Sequence, residues 1–190
     1  MTVTGADIAA RAMSTYGKGW VYAWGAKPAA DVAPGASGVC ADCTGFAWWA
    51  AGKRQVGRIR PGQGDNSWLP LQAPQVGAAV WHAADAGKTS GHVGIVVAVH
   101  PNGDFDSLDC SSTPPGPRGG AIRLLHNARS TWQRPDPSAW GFDWPVWATA
   151  APPASTGRKI AAVAAIAAVA AWAAWQAGKP GGVRLPGFLA

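Results

Sequence analysis

The chain has 190 residues, 48% hydrophobic and only 14% charged, which suits one globular domain with an appendage and argues against disorder. Glycine shows no three-residue period and there are no charged heptads, so collagen and coiled-coil readings fail. The net charge is +6, but Arg158, Lys159, Lys179 and Arg184 supply four of those charges, leaving twelve bases against ten acids (all Asp, no Glu) over residues 1–150, without a basic stripe or nucleic-acid module; nucleic acid is not an expected partner.

The opening segment, MTVTGADIAARAMSTYG, does not read as a signal peptide: it lacks a basic start, and Asp7 falls where an apolar core would lie. It reads instead as an amphipathic helix over roughly residues 4–16, capped by Thr4 and buried through Ile8, Ala9, Ala12 and Met13. A second apolar stretch from Cys43 to Gly52 has helical length and ends on glycine. Strands are expected at Ala78–His82, His92–Val99, Asp104–Leu108, Ala121–Leu125 and Trp144–Ala148, where short β-branched or aromatic runs are punctuated by Gly and Pro. Asn102-Gly103 signals a hairpin between two of them. The fold class expected for residues 1–150 is therefore α+β.

Residues 151–158 form a Pro/Ser/Thr/Gly linker. Residues 159–178 follow with 19 uncharged positions between Lys159 and Lys179, about 28 Å of helix at the usual rise, close to a bilayer core. Ile160, Val163, Ile166, Val169, Trp172 and Trp175 recur every three positions between alanines, so this C-terminal hydrophobic helix is expected to span a membrane or pack in a hydrophobic assembly through Ile160–Trp175. Its bland alternative is an Ala-rich helix lying on its own domain or on a partner. Residues 179–190 read as a flexible tail.

Chemistry concentrates around Cys43. In Asp42-Cys43-Thr44-Gly45-Phe46 the thiol opens an apolar helix, where the positive end of the helix favours the nucleophilic thiolate. His92, in Gly91-His92-Val93-Gly94-Ile95 at a strand start, is the best candidate base, its flanking glycines allowing close approach to the ring. A third polar group should orient the imidazole; Asp109, at the end of the strand after the Asn-Gly turn, fits, with Asp106 as its rival. His82, His100 and His126 lack comparable surroundings. Cys40 and Cys43 form a C-x-x-C, but no second C-x-x-C and no thioredoxin-like βαβ pattern accompany it, so neither a metal nor a cofactor is expected. Three cysteines make no disulfide framework, although a Cys40–Cys110 bridge is conceivable.

These segments, in this order, resemble the NlpC-type cell-wall peptidases, papain-like hydrolases of peptidoglycan. Asp-Cys-Thr-Gly-Phe looks like their Asp-Cys-Ser-Gly nucleophile motif, Gly-His-Val-Gly-Ile like their histidine strand, and Tyr22-Ala23-Trp24-Gly25 like the Tyr-x-Trp-Gly segment upstream. PQVGAAVW, Pro74 to Trp81, resembles their Pro-Gly-Asp strand entry but lacks the Asp. The resemblance covers roughly residues 5–148. It implies a papain-like NlpC-type fold, N-terminal helices on a small antiparallel sheet, and a cysteine endopeptidase of stem peptides. Cys43 would be the nucleophile, His92 the base, and Asp109 would stand where the family usually has His, Asn or Gln. Tyr22, Asp42 and Trp24 would bind substrate, Asp42 receiving the free amine of a stem peptide.

Peptidoglycan lies outside the cytoplasm and the sequence starts without a signal peptide. A phage lysin is therefore expected, acting in lysis or entry and located in the virion or the host cell envelope. The alternatives are a virion assembly component with a peptidase-like fold, and an N-acetylmuramoyl-L-alanine amidase. A lipid acyltransferase of papain-like type would carry His before Cys, the reverse of the order here.

Overall fold

A computed structural model describes residues 3–53, 67–85, 90–112 and 120–149. The linker, the hydrophobic segment 159–178 and the tail lie outside the described residues. Among the described residues no helix is long and apolar enough to cross a membrane.

The chain begins with β1 (Val3–Thr4) and α1 (Gly5–Met13). Thr4 caps α1 as the sequence indicated, and the cap is reciprocal. Its hydroxyl accepts the Asp7 N–H while the Asp7 carboxylate accepts the Thr4 N–H, so two otherwise orphaned donors are satisfied. Ile8, Ala9 and Ala12 are buried as expected, and Met13 only partly so. α1 also anchors the long loop that follows. Arg11 donates to the carbonyls of Ala30 (2.6 Å) and Val32 (3.2 Å) while its guanidinium lies 4.4 Å from the Trp49 ring centre.

Two short strands, β2 (Val21–Tyr22) and β3 (Cys40–Ala41), then pair in parallel and lead directly into α2 (Cys43–Ala50). Every residue of α2 is buried, which explains why its sequence is apolar all round rather than striped. Gly45 is required there. A Cβ at this position would come 2.3 Å from the Ala26 carbonyl oxygen, so the glycine lets the loop after β2 close on the helix.

The main sheet has six strands in the order β4-β9-β5-β6-β7-β8: β4 (Trp68–Leu71), β5 (Ala79–His82), β6 (His92–Val99), β7 (Phe105–Cys110), β8 (Ile122–Leu125) and β9 (Trp140–Pro145). All its pairings are antiparallel. The Asn102-Gly103 turn joins β6 to β7 as predicted, with Gly103 at φ 81° and the Asn102 side chain accepting from the Asp104 N–H. Gly77, ahead of β5, has φ 89°, and a Cβ on it would lie 2.4 Å from the Gly5 carbonyl oxygen; α1 and this turn touch backbone to backbone.

One expectation needs correction, and two elements fall where the sequence raised no expectation. The strand placed at Trp144–Ala148 instead runs from Trp140 to Pro145, and a two-residue β10 (Ala148–Thr149) pairs in parallel with β1. The alternation beginning at Trp140 sets the true start, and Pro145, which lacks an N–H, ends the ladder. β4 carries Pro70, which argues against a strand in the sequence, but it is an edge strand and tolerates the missing donor. α3 (Arg129–Trp132) is a single turn, too short for periodicity to reveal.

The core lies on both faces of the sheet and accounts for the tryptophan enrichment. α1 and α2 cover one face with Trp20, Trp49 and Phe46, the two indoles 4.7 Å apart at their centres. A second trio, Trp48, Trp68 and Trp147, packs edge-on and stacked at 5.1–5.7 Å. The opposite face is smaller: Val80, Val96, Phe105, Phe142 and Trp132. The described body is thus mixed helix and sheet, as the sequence indicated.

Candidate functional site

Cys43 is the first residue of α2, which packs on β6 and β7. Asp42 is the helix N-cap. Its Oδ1 accepts the Gly45 N–H (2.5 Å) and its Oδ2 the Gly25 N–H (3.1 Å). The carboxylate therefore fixes both the start of α2 and the Tyr-x-Trp-Gly segment. The Cys43 thiol is buried, 3.8 Å from the Thr44 hydroxyl. As the opening helical residue, Cys43 has no intrahelical acceptor for its N–H.

His92 opens β6, and its Nε2 lies 2.7 Å from Asp109 Oδ2. The Cys43 side chain also favours the charged imidazole, and Nε2 is the ring atom engaged by Asp109. Burial pulls the imidazole pKa down, but the hydrogen bond it donates to Asp109 and the influence of Cys43 outweigh it and leave it at about 9. Asp109 is completely buried on β7; burial raises its pKa, and the bonds to His92 and Arg123 more than reverse that. The rival Asp106 serves the opposite end of the strands, where it meets His100 Nε2 (2.8 Å) and His126 Nδ1 (3.0 Å).

The glycines beside His92 have a different use from the one their sequence positions suggest. A Cβ on Gly91 would strike the His82 carbonyl oxygen at 2.1 Å, and one on Gly94 would come 2.9 Å from the Trp132 ring. They admit the neighbouring strand and an indole. The Trp132 ring lies against the His92 imidazole with 5.5 Å between centres and 7° between planes, and its Nε1 donates to Ser107 Oγ at 2.9 Å. The imidazole is thus held by a carboxylate at its edge and an aromatic plate on its face.

A cleft of about 290 Å³ opens on these groups, lined by Tyr22, Trp24, Cys43, His92, His82 and Asp85, together with Ser90, Ser111 and Ser112. Tyr22 and Trp24 thus line the same cleft as Cys43 and His92, Trp24 being 67% exposed. Asp42 does not line the cleft. The Asp85 carboxylate does, and it accepts from Arg134 Nε (2.8 Å).

Four residues were not visible as site residues in the sequence: His82, Asp85, Trp132 and Arg123. His82 pairs directly with His92 across β5–β6, and its Nδ1 donates to the Ala83 carbonyl at 2.7 Å; burial lowers its pKa. The signal for His82 and Arg123 lay in strand register, since each sits on a neighbouring strand opposite a suspected residue. Cys40 is exposed and free, and Cys110 is buried, its Sγ donating to the Ala41 carbonyl. No disulfide links them, and the described residues contain no metal-binding cluster.

Residues 32–111 match the family model of the CHAP domain, a segment that includes both Cys43 and His92 but less than half of the chain. Among solved structures, the NlpC/p60 domain of peptidoglycan hydrolase SagA is similar at 23% identity and a TM-score of 0.42, over 74% of this chain and 97% of that one. No curated protein matches the chain. The CHAP match agrees with the resemblance to the NlpC-type cell-wall peptidases.

Proposed function

We propose that the protein is a peptidoglycan hydrolase of papain-like NlpC type that cuts a stem-peptide amide with Cys43 as nucleophile, His92 as base and then acid, and Asp109 orienting the imidazole. The observation that carries this reading is that His92, whose Nε2 lies 2.7 Å from the fully buried Asp109 carboxylate, lines one cleft with Cys43.

The chemistry follows from that geometry. His92 takes the thiol proton, and the sulfur attacks the amide carbonyl carbon. The carbonyl oxygen becomes an oxyanion, for which the Cys43 N–H at the helix start, having no intrahelical acceptor, is a donor. The imidazolium gives its proton to the leaving nitrogen, the C–N bond breaks, and a thioester remains. Water, deprotonated by His92, attacks that thioester; the C–S bond breaks and a carboxylate leaves. Asp109 holds the ring through Nε2 and stabilises the imidazolium at both proton transfers. Tyr22 and Trp24 offer aromatic walls to the substrate, while Asp42 acts here through its cap on α2.

The reading places the protein at a bacterial wall, in the setting of a phage particle or host envelope. The test is digestion of purified peptidoglycan by the full chain beside Cys43→Ala, with products identified by mass. Cut stem peptides that vanish in the variant bear the reading out. Release of whole stem peptides from the glycan would make the enzyme an amidase. Inertness of both chains would favour an assembly role.

A further inference from the structure

The hydrogen bonds of the site do not stop at Asp109. Arg123, on β8, stands directly opposite Asp109 in the β7–β8 register. Its Nε donates to Asp109 Oδ1 at 2.9 Å and its Nη2 to Oδ2, the same oxygen that faces His92. The arginine therefore grips both oxygens of the carboxylate in the forked geometry that a guanidinium favours. The register extends this into a row across four adjacent strands: His82 opposite His92, Gly94 two residues on opposite Asp109, and Asp109 opposite Arg123. Gly94 contributes no side chain, so His92 can lean diagonally to Asp109.

We propose that Arg123 is a positioning residue for the Cys43–His92 couple: by holding both oxygens of Asp109 it fixes the carboxylate against His92 and draws off part of its negative charge. This rests on the reading of Cys43 and His92 given above. The physical case is one of competition. A buried carboxylate with only one cationic partner would bind the imidazolium at full strength and keep His92 charged to higher pH. Sharing that carboxylate with a permanent cation weakens its hold on the proton, so that His92 can both take a proton from the thiol and release it to the leaving nitrogen. The other groups facing His92 are the Cys43 thiol from α2, the His82 ring from β5, 6.2 Å away between centres, and the uncharged Trp132 from α3. None of these competes for the Asp109 oxygens.

The test titrates His92 by the NMR signals of its ring protons in the full chain, and in parallel follows iodoacetamide alkylation of Cys43, read on its own peptide by mass, as a function of pH. Wild type is compared with Arg123→Gln and Arg123→Lys. The titration midpoint of His92, and with it the upper inflection of Cys43 alkylation, should move to alkaline pH by roughly one unit in Arg123→Gln, the scale of losing a nearby cation. Arg123→Lys keeps the charge but not the fork and should fall between the two. Midpoints that overlay wild type in a folded variant would reduce Arg123 to a brace between strands and overturn the proposal, as would a shift to acid. If Arg123→Gln does not fold, Arg123→Lys decides alone: a smaller alkaline shift supports the proposal and none overturns it. Neither readout uses peptidoglycan, so a failed digestion would sink the functional reading without being mistaken for failure here.

Discussion

Strands β6 and β7 carry two Asp–His constellations, one at each end. At one end Asp109 is fully buried and holds His92 and Arg123; at the other Asp106, 15% exposed, holds His100, His126 and the Asn127 N–H. The distances are nearly the same, 2.7 Å for His92 and 2.8 Å for His100. The ends differ in what surrounds the imidazole. His92 meets a thiol at a helix start, an aromatic plate and a cleft; His100 sits beside a hairpin turn, with no cysteine near it in the described residues. An Asp–His pair is thus not a site by itself. Here one pair ties down a turn and the other, in the proposed mechanism, serves a nucleophile.

Substitutions that strike one end and spare the other sharpen this contrast. The largest effect should come from Cys43→Ala, which removes the proposed nucleophile and should lower turnover on peptidoglycan by on the order of 10⁵-fold or more, measured by product release. Next is a matched pair. Asp109→Asn should cost about 10³–10⁴-fold in activity, because the imidazole loses its orienting acceptor. Asp106→Asn should leave activity near wild type and cost about 1–2 kcal/mol of stability in denaturant melts. Equal losses of activity in the two would erase the distinction between the ends.

A pH series tests the same contrast more gently. His92 holds its proton more tightly folded than unfolded, so its contribution to stability is full below about pH 6.5 and is lost as pH rises through about 9. Asp109, shifted the other way, contributes above the ordinary carboxylate range and ceases to do so as pH falls through its lowered value. Melting temperature should therefore decline between pH 6.5 and 9 in wild type and less so in His92→Ala. Activity should fall over the upper part of that window as the proton for the leaving nitrogen is lost. The smallest effect belongs to His126→Ala: the side chain is 67% exposed, and stability should change by less than about 0.5 kcal/mol.

Much of this arrangement was legible in the sequence because it is local. Thr4 announces its cap, Asn102-Gly103 its hairpin, and Cys43 its place at a helix start, each through chemistry confined to a few neighbouring positions. The apolar run of α2 declared a buried helix but not what covers it. What stayed hidden depends on register between distant segments. Arg123 is one base in a four-residue strand until β8 is set beside β7, and His82 is a strand end until β5 pairs with β6. Gly94 looked like room for close approach to the His92 ring and proved to be room for the Leu108 carbonyl on the neighbouring strand and for Trp132, 38 positions away. The two-residue strands β1, β2, β3 and β10 form only because the body brings them together; nothing in so few residues could signal them.

The parallel pairing of β1 with β10 has a mechanical consequence. Val3 lies against Ala148 and Thr4 against Thr149, so the body begins and ends at one point, about one strand spacing apart. A load applied through the chain after residue 149 is taken up first by this small seam and by the capped start of α1, while the sheet that carries His92 and Asp109 lies beyond it. The same adjacency makes the body suited to rewiring: a short peptide could join Thr149 to Val3, and new ends could be opened at the Asn102-Gly103 turn, far from the thiol.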